Sequence, residues 1–117
     1  MGQARILVVE HDPTVADYVV DVIRHGGWET AGPAHTLMHA LDLLAHESID
    51  GAVIDLRPEA DAISLPVASL LHKRNIPFLF MTGGICAPAC FQKVAIVGKP
   101  FTHEVLIREL SKLLILS

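Results

Sequence analysis

Residues 5–19 read RILVVEHDPTVADYV. An apolar run, Ile6 to Val9, gives way to Glu10-His11-Asp12 and then Pro13, after which Val15, Val19, Val22 and Ile23 recur at helical spacing. A short continuous apolar run suits a strand buried on both faces, and the later spacing suits an amphipathic helix. Asp12 is predicted to cap that helix and Pro13 to open it, because a capping carboxylate satisfies an unpaired N–H and proline has none to leave unpaired. A buried strand thus hands three polar residues to the loop at its carboxyl end.

The alternation continues along the chain. Gly26-Gly27 stops the first helix, Trp28 to Ala31 forms a short second strand, and Gly32-Pro33 leads to a second helix with Leu37, Leu41 and Leu44 on one face. A third strand, Ala52 to Ile54, delivers Asp55 to its end. The segment LRPEADAISLP (56–66) is expected as a loop, with Pro66 starting a third helix that turns Val67, Leu70 and Leu71 inward and closes near Asn75. Pro77 to Met81 is a fourth strand, followed by Thr82 and a Gly83-Gly84 turn, then a short, poorly helical connection through Pro88. Val94 to Val97 is a fifth strand ending at Gly98-Lys99-Pro100, and Thr102 caps a last helix with Val105, Leu106, Leu110 and Leu113 facing in.

Five apolar strands alternating with helices define an α/β fold with a parallel sheet, doubly wound and covered by helices on both faces. The 117 residues suit one domain, 1–117, with a single site. About half the residues (51 %) are apolar, yet no apolar run reaches the eighteen or so needed to span a bilayer, and the N-terminus lacks a signal-peptide pattern, so a cytoplasmic location is expected. A net charge of −4 with nine scattered Lys and Arg argues against nucleic-acid binding and leaves proteins or small anions as partners. Cys86 and Cys90, spaced C-x3-C, lack the further ligand pair of a structural zinc site and read as free thiols.

In such sheets ligands sit at the carboxyl ends of the strands. Glu10, His11 and Asp12 lie after strand one, Asp55 after strand three, Thr82 after strand four and Lys99 after strand five. Carboxylates sharing a pocket repel unless a hard divalent cation lies between them, which makes Mg²⁺ the natural candidate. A carboxylate beside such a cation, with an ammonium and a hydroxyl opposite, is arranged to attack a phosphoryl group and hold its oxygens. Asp55 would be the nucleophile.

The motifs ILVVE-D-P (6–13), VID (53–55), MTG (81–83) and GKPF (98–101), occurring in this order, resemble those of a receiver domain of a two-component response regulator, across essentially the whole chain. The resemblance implies the flavodoxin-like strand order 2-1-3-4-5. It implies Asp55 as phosphoacceptor, Thr82 on a phosphoryl oxygen, Lys99 on the acyl phosphate, Glu10 and Asp55 at a metal site, the Arg57 carbonyl on the metal, and a cis Lys99-Pro100 bond. The implied partners are a histidine kinase or phosphotransfer protein and a downstream protein. PFLFMTGG and the segment through CAPAC resemble a narrower group of stand-alone receivers with an abbreviated fourth helix, often found beside stress-response or light-responsive kinases. With nothing beyond the last helix except Leu113 to Ser117, no output domain is expected, and the Leu113–Leu116 tail either completes that helix or exposes a dimer surface.

Two positions depart from the family. His11 stands where a second carboxylate normally coordinates the metal, and Ile96 stands where an aromatic residue three before the lysine normally turns inward. An imidazole suits Mn²⁺, Zn²⁺ or Cu²⁺ better than Mg²⁺. Three outcomes are open at His11: Asp12 swings in as the missing acid, His11 selects a softer metal, or a protonated His11 replaces the cation. A fourth is that His11 points to solvent in a pseudo-receiver that only docks partners. His35, His39 and His46 share helical spacing, and with no further ligand in the pattern they read as a solvated face of the second helix, as do Glu59 and Asp61 in their loop. The leading expectation is a phosphoacceptor in a relay, not a turnover enzyme, with at most phosphorylation from small donors and autodephosphorylation. The alternatives are a phosphorylation-independent interaction module and, disfavoured for want of a phosphate loop and stacking aromatics, a small metal- or flavin-binding protein.

Overall fold

The computed structural model describes residues 3–56, 61–83 and 94–116. The chain runs β1 (Arg5–Val9), α1 (Pro13–His25), β2 (Glu29–Ala34), α2 (Leu37–His46), β3 (Gly51–Leu56), α3 (Asp61–Lys73), β4 (Phe78–Thr82), β5 (Ala95–Gly98) and α4 (His103–Leu116). The strands form one parallel sheet in the order β2-β1-β3-β4-β5, the topology expected from the sequence.

Strand periodicity splits the core into two layers. Ile6 and Val8 of β1 face one side, with Val19, Val22 and Ile23 of α1 and Leu106 and Leu110 of α4. Leu7 and Val9 face the other, with Ala40 and Leu44 of α2 and Val67, Ala68 and Leu71 of α3. Every residue of β3 and β4 is buried, which is why those strands read as unbroken apolar runs. Among the described residues no helix is long and apolar enough to cross a membrane.

Apart from the start of α3, the helix ends carry recognisable caps. Asp12 accepts from the Thr14 N–H at 2.9 Å, Thr36 from His39 at 3.1 Å and Thr102 from Val105 at 3.2 Å. At the end of α1, Gly27 takes φ +91°, and the Gly27 and Trp28 N–H groups return to the Arg24 and Ile23 carbonyls. Asn75 does the same for α3 at φ 59°, with its own N–H on His72 and that of Ile76 on Leu71.

Two boundaries are corrected. The third helix begins at Asp61, five residues before Pro66, which lies inside it. Pro66 forgoes one helical hydrogen bond on an exposed position, while Val67, Ala68 and Leu71 are fully buried. The second strand continues to Ala34, so Gly32-Pro33 lies within it and does not lead into a helix. β2 is an edge strand, where proline is tolerated, and the pairing slips there: Leu7 faces Ala31 but Val9 faces Ala34. Gly32 makes that bulge possible at φ +89°, and the Gly32-Pro33 and Lys99-Pro100 peptides are both cis. The expected connection through Pro88, with Cys86 and Cys90, falls outside the described residues, as do Arg57 and Glu59. Leu113 and Leu114 pack against the core and Ile115 is exposed, so the apolar tail completes α4.

Candidate functional site

The carboxyl edge of the sheet gathers three of the four polar residues buried among the described residues. Glu10, immediately after β1, is wholly buried; Asp55 near the end of β3 and Thr82 at the end of β4 are 5 % and 4 % exposed. The register explains their convergence. β1 pairs with β3 up to Val9 opposite Ile54, which brings Glu10 beside Asp55. Leu56 lies opposite Thr82 and Thr82 opposite Gly98, and the Lys99 N–H donates to the Thr82 carbonyl at 2.7 Å.

Lys99 reaches back over this edge. Its Nζ donates to Glu10 Oε1 at 2.8 Å and to Asp55 Oδ1 at 2.9 Å. Burial alone would lower the ammonium's pKa, but the hydrogen bonds to Glu10 and Asp55, together with their charges, outweigh it and hold it above the ordinary lysine value. Two buried carboxylates without a cation would each cost several kcal/mol in desolvation, on the order of the stabilities at stake in a small domain. Lys99 compensates one of the two negative charges.

His11 takes the other side of the same pair. Its Nδ1 lies 3.1 Å from Glu10 Oε2 and 3.1 Å from Asp55 Oδ2. Lys99 and His11 therefore bracket the two acids, each touching one oxygen of each carboxylate. A nitrogen lone pair facing two carboxylate oxygens at this distance would be repelled, so in this arrangement Nδ1 carries the hydrogen and donates it to Asp55 Oδ2, with Glu10 Oε2 close beside it. The ring is 42 % exposed, but its Nδ1 edge turns inward, against the solvent-pointing alternative. Asp12 stays at its cap: its Oδ1 accepts from Thr14, and its own N–H donates to Glu10 Oε2 at 3.2 Å. It does not swing in as a substitute acid.

The donor atoms of Glu10, His11 and Asp55 lie within 4.8 Å of one another, a grouping that could hold a metal ion. Two carboxylates and one imidazole fit a divalent cation, and fit Mn²⁺ better than Mg²⁺ because the imidazole is the softer ligand. Ligation through Nδ1 requires the ring to move its hydrogen to Nε2.

The other histidines divide. His39 and His46 are exposed on α2, with His46 Nδ1 3.1 Å from Asp42 Oδ1. His35 lies before that helix, not on it, and its Nδ1 is 2.6 Å from the Glu10 carbonyl oxygen. Sequence spacing misses this contact because the extension of β2 that brings residue 35 to the sheet edge hides behind Gly32-Pro33. A cavity of about 520 Å³ lies at the opposite, amino end of β4 and β5, lined by Pro77, Phe78 and Leu113 among others, well apart from the acids in the fold.

No protein-family model matches the sequence, and no curated protein matches it. Solved structures do. SdrG from Sphingomonas melonis Fr1 is 32 % identical, with 96 % of this chain and 97 % of that one covered at a TM-score of 0.82. The chain belongs to the response-regulator receiver domains. SdrG in its BeF3-activated conformation, from Pseudomonas melonis Fr1, is 31 % identical over 97 % of this receiver and 98 % of that chain, at a TM-score of 0.81. Two others share the fold at 21 % identity. They are the PhyR response regulator REC domain of Erythrobacter litoralis (98 % and 92 % covered, TM-score 0.83) and a CheY-like receiver domain protein of Methanospirillum hungatei JF-1 (97 % and 95 %, 0.81).

This receiver brings Glu10, Asp55, Thr82 and Lys99 to one edge of its sheet, with His11 drawn into the acid pair. Ile96, on the edge strand β5, is 42 % exposed.

Proposed function

We propose that this receiver accepts a phosphoryl group on Asp55 from a histidine kinase or phosphotransfer protein and signals through protein–protein contact. The observation that carries this reading is Lys99 Nζ at 2.9 Å from Asp55 Oδ1, on a carboxylate that is almost fully buried at the strand end. An Asp55 oxygen attacks phosphorus, the phosphorus–nitrogen bond of the donor phosphohistidine breaks, and the departing imidazole nitrogen keeps the bonding pair and takes up a proton. Lys99 holds a charged oxygen throughout, and Thr82, from the end of β4, would take another. Glu10, His11 and Asp55, with the Arg57 carbonyl, would hold a divalent cation, Mg²⁺ or Mn²⁺, which neutralises phosphoryl charge when bound. To free Asp55 Oδ2, His11 must release its hydrogen bond. The conformation of SdrG described as BeF3-activated supports the same chemistry here. The chain then acts as a phosphoacceptor and not as a turnover enzyme.

A second reading is favoured by His11 itself. If the imidazole keeps both acids bracketed, the domain is a phosphorylation-independent docking module, and the exposed Ile96 in place of an inward-turning aromatic points the same way.

Intact-mass measurement after incubation with acetyl phosphate decides between them, run with Mg²⁺, with Mn²⁺ and without metal, on wild type, Asp55→Asn and His11→Asp. A phosphoryl adduct on wild type that is lost in Asp55→Asn is the expected result. An adduct only in His11→Asp would sink the first reading and support the second, which further requires partner binding to survive Asp55→Asn.

A further inference from the structure

The β2 bulge has a product at the acid pocket. With regular pairing, Pro33 would face Val9; the slip puts Ala34 there, so that the Glu10 N–H donates to the Ala34 carbonyl at 3.1 Å. The next residue, His35, then brings its Nδ1 to 2.6 Å from the Glu10 carbonyl, a short hydrogen bond that the ring must donate. That carbonyl belongs to the peptide joining Glu10 to His11. Both faces of the Glu10 backbone are thus held from the end of β2, while the Asp12 N–H fixes the Glu10 side chain from the loop.

We infer that His35 is a positioning residue for the acid pocket: by holding the Glu10–His11 peptide, it aims the His11 ring between Glu10 and Asp55. The inference rests on the reading of that pocket as the receiver's site. His35 meets the Glu10 backbone carbonyl and acts through one peptide plane. A ligand fixed at its backbone loses less freedom when it engages a partner, and groups that orient ligands in this way typically carry about tenfold or more in metal affinity.

The test uses the whole chain and four proteins: wild type, His35→Ala, His35→Asn and His39→Ala. Asn offers an amide N–H where the imidazole Nδ1 stood, and His39 is an exposed histidine on the neighbouring helix turn. Long-range proton–nitrogen NMR reports the tautomer of the His11 ring in metal-free protein, and the loss of free Mn²⁺ signal in electron paramagnetic resonance reports metal affinity. The expected result is an Nδ1–H signature on His11 in wild type and His39→Ala, its loss in His35→Ala and its recovery in His35→Asn. Mn²⁺ affinity should fall about tenfold in His35→Ala alone. An unchanged His11 spectrum in His35→Ala, with thermal stability confirming the fold, overturns the proposal; so does failure of Asn to restore what Ala removes. If wild type binds no Mn²⁺, the metal assignment falls by itself, and the metal-free His11 spectrum still decides the role of His35.

Discussion

The Nδ1 of His11 lies 3.1 Å from Oδ2 of Asp55, on the opposite side of that carboxylate from the Lys99 ammonium. A third acid at position 11 would put three carboxylates around one ammonium. The imidazole instead contributes a hydrogen-bond donor, so the pocket is less dependent on a cation for its cohesion.

His11→Asp is therefore expected to lose stability in metal-free buffer, by about 2 kcal/mol, from a lost charge-assisted hydrogen bond and added like-charge repulsion. Mg²⁺ should restore it, since a cation that binds only the folded state stabilises by mass action. Wild type should respond weakly to Mg²⁺. Thermal melts of both proteins across a Mg²⁺ series test this; equal responses would mean that His11 does not set the metal requirement.

Lys99 binds the two buried acids from the other side. Lys99→Met should cost about 2 kcal/mol at neutral pH, below the usual figure for breaking a fully buried pair because the side chain is 21 % exposed. The pH dependence follows from the sign of the shift. The ammonium's pKa is raised in the folded protein despite the burial that opposes it, so its stabilisation is complete below the ordinary lysine range. It is lost as pH rises from that range through the raised value. Denaturant midpoints of wild type and Lys99→Met, compared from neutral pH into the alkaline range, should stay apart until the lysine range and converge beyond it.

Asp12 supplies a cap and not a ligand, and the two roles separate by mutation. Asp12→Ala should cost about 1 kcal/mol in urea unfolding, the usual worth of such a cap. It should leave the yield of the acetyl phosphate adduct at the wild-type level. A parallel loss of adduct would place its carboxylate in the chemistry after all.

Legibility in the sequence varied with burial. β1, β3 and β4 are covered on both faces, so their apolar runs, and with them the edge that holds Glu10, Asp55, Thr82 and Lys99, follow from pattern, whereas the strand order rests on the receiver resemblance. The errors arise where a proline carries two meanings. Pro66 suits a first helical position but sits inside α3, where surrounding buried residues outweigh its missing hydrogen bond. Gly32-Pro33 suits a turn, but on the edge strand it makes a bulge, and the consequence for His35 is a tertiary contact that no local pattern encodes. The direction of the His11 ring is equally nonlocal: the residue type left several arrangements open, and the Glu10–Asp55 pair selects one of them.

The bulge itself supplies the last prediction. Gly32 has φ +89°, and a Cβ there would come within 2.6 Å of the Ala34 nitrogen and 3.0 Å of the Val8 carbonyl oxygen, both backbone atoms with little room to yield. Gly32→Ala should cost about 2 kcal/mol, from a left-handed conformation forced on alanine together with that clash. The strain falls between β1 and the segment that ends in Ala34 and His35, so the damage should not be confined to global stability. Amide hydrogen exchange should speed up most at Glu10, whose N–H is held by Ala34, and much less at Ala52 on the far side of β1, whose N–H is bonded to Pro77. Uniform acceleration across the sheet would show that the bulge serves the fold as a whole. Acceleration concentrated at Glu10 would show that the strained glycine is retained for the geometry of the acid pocket.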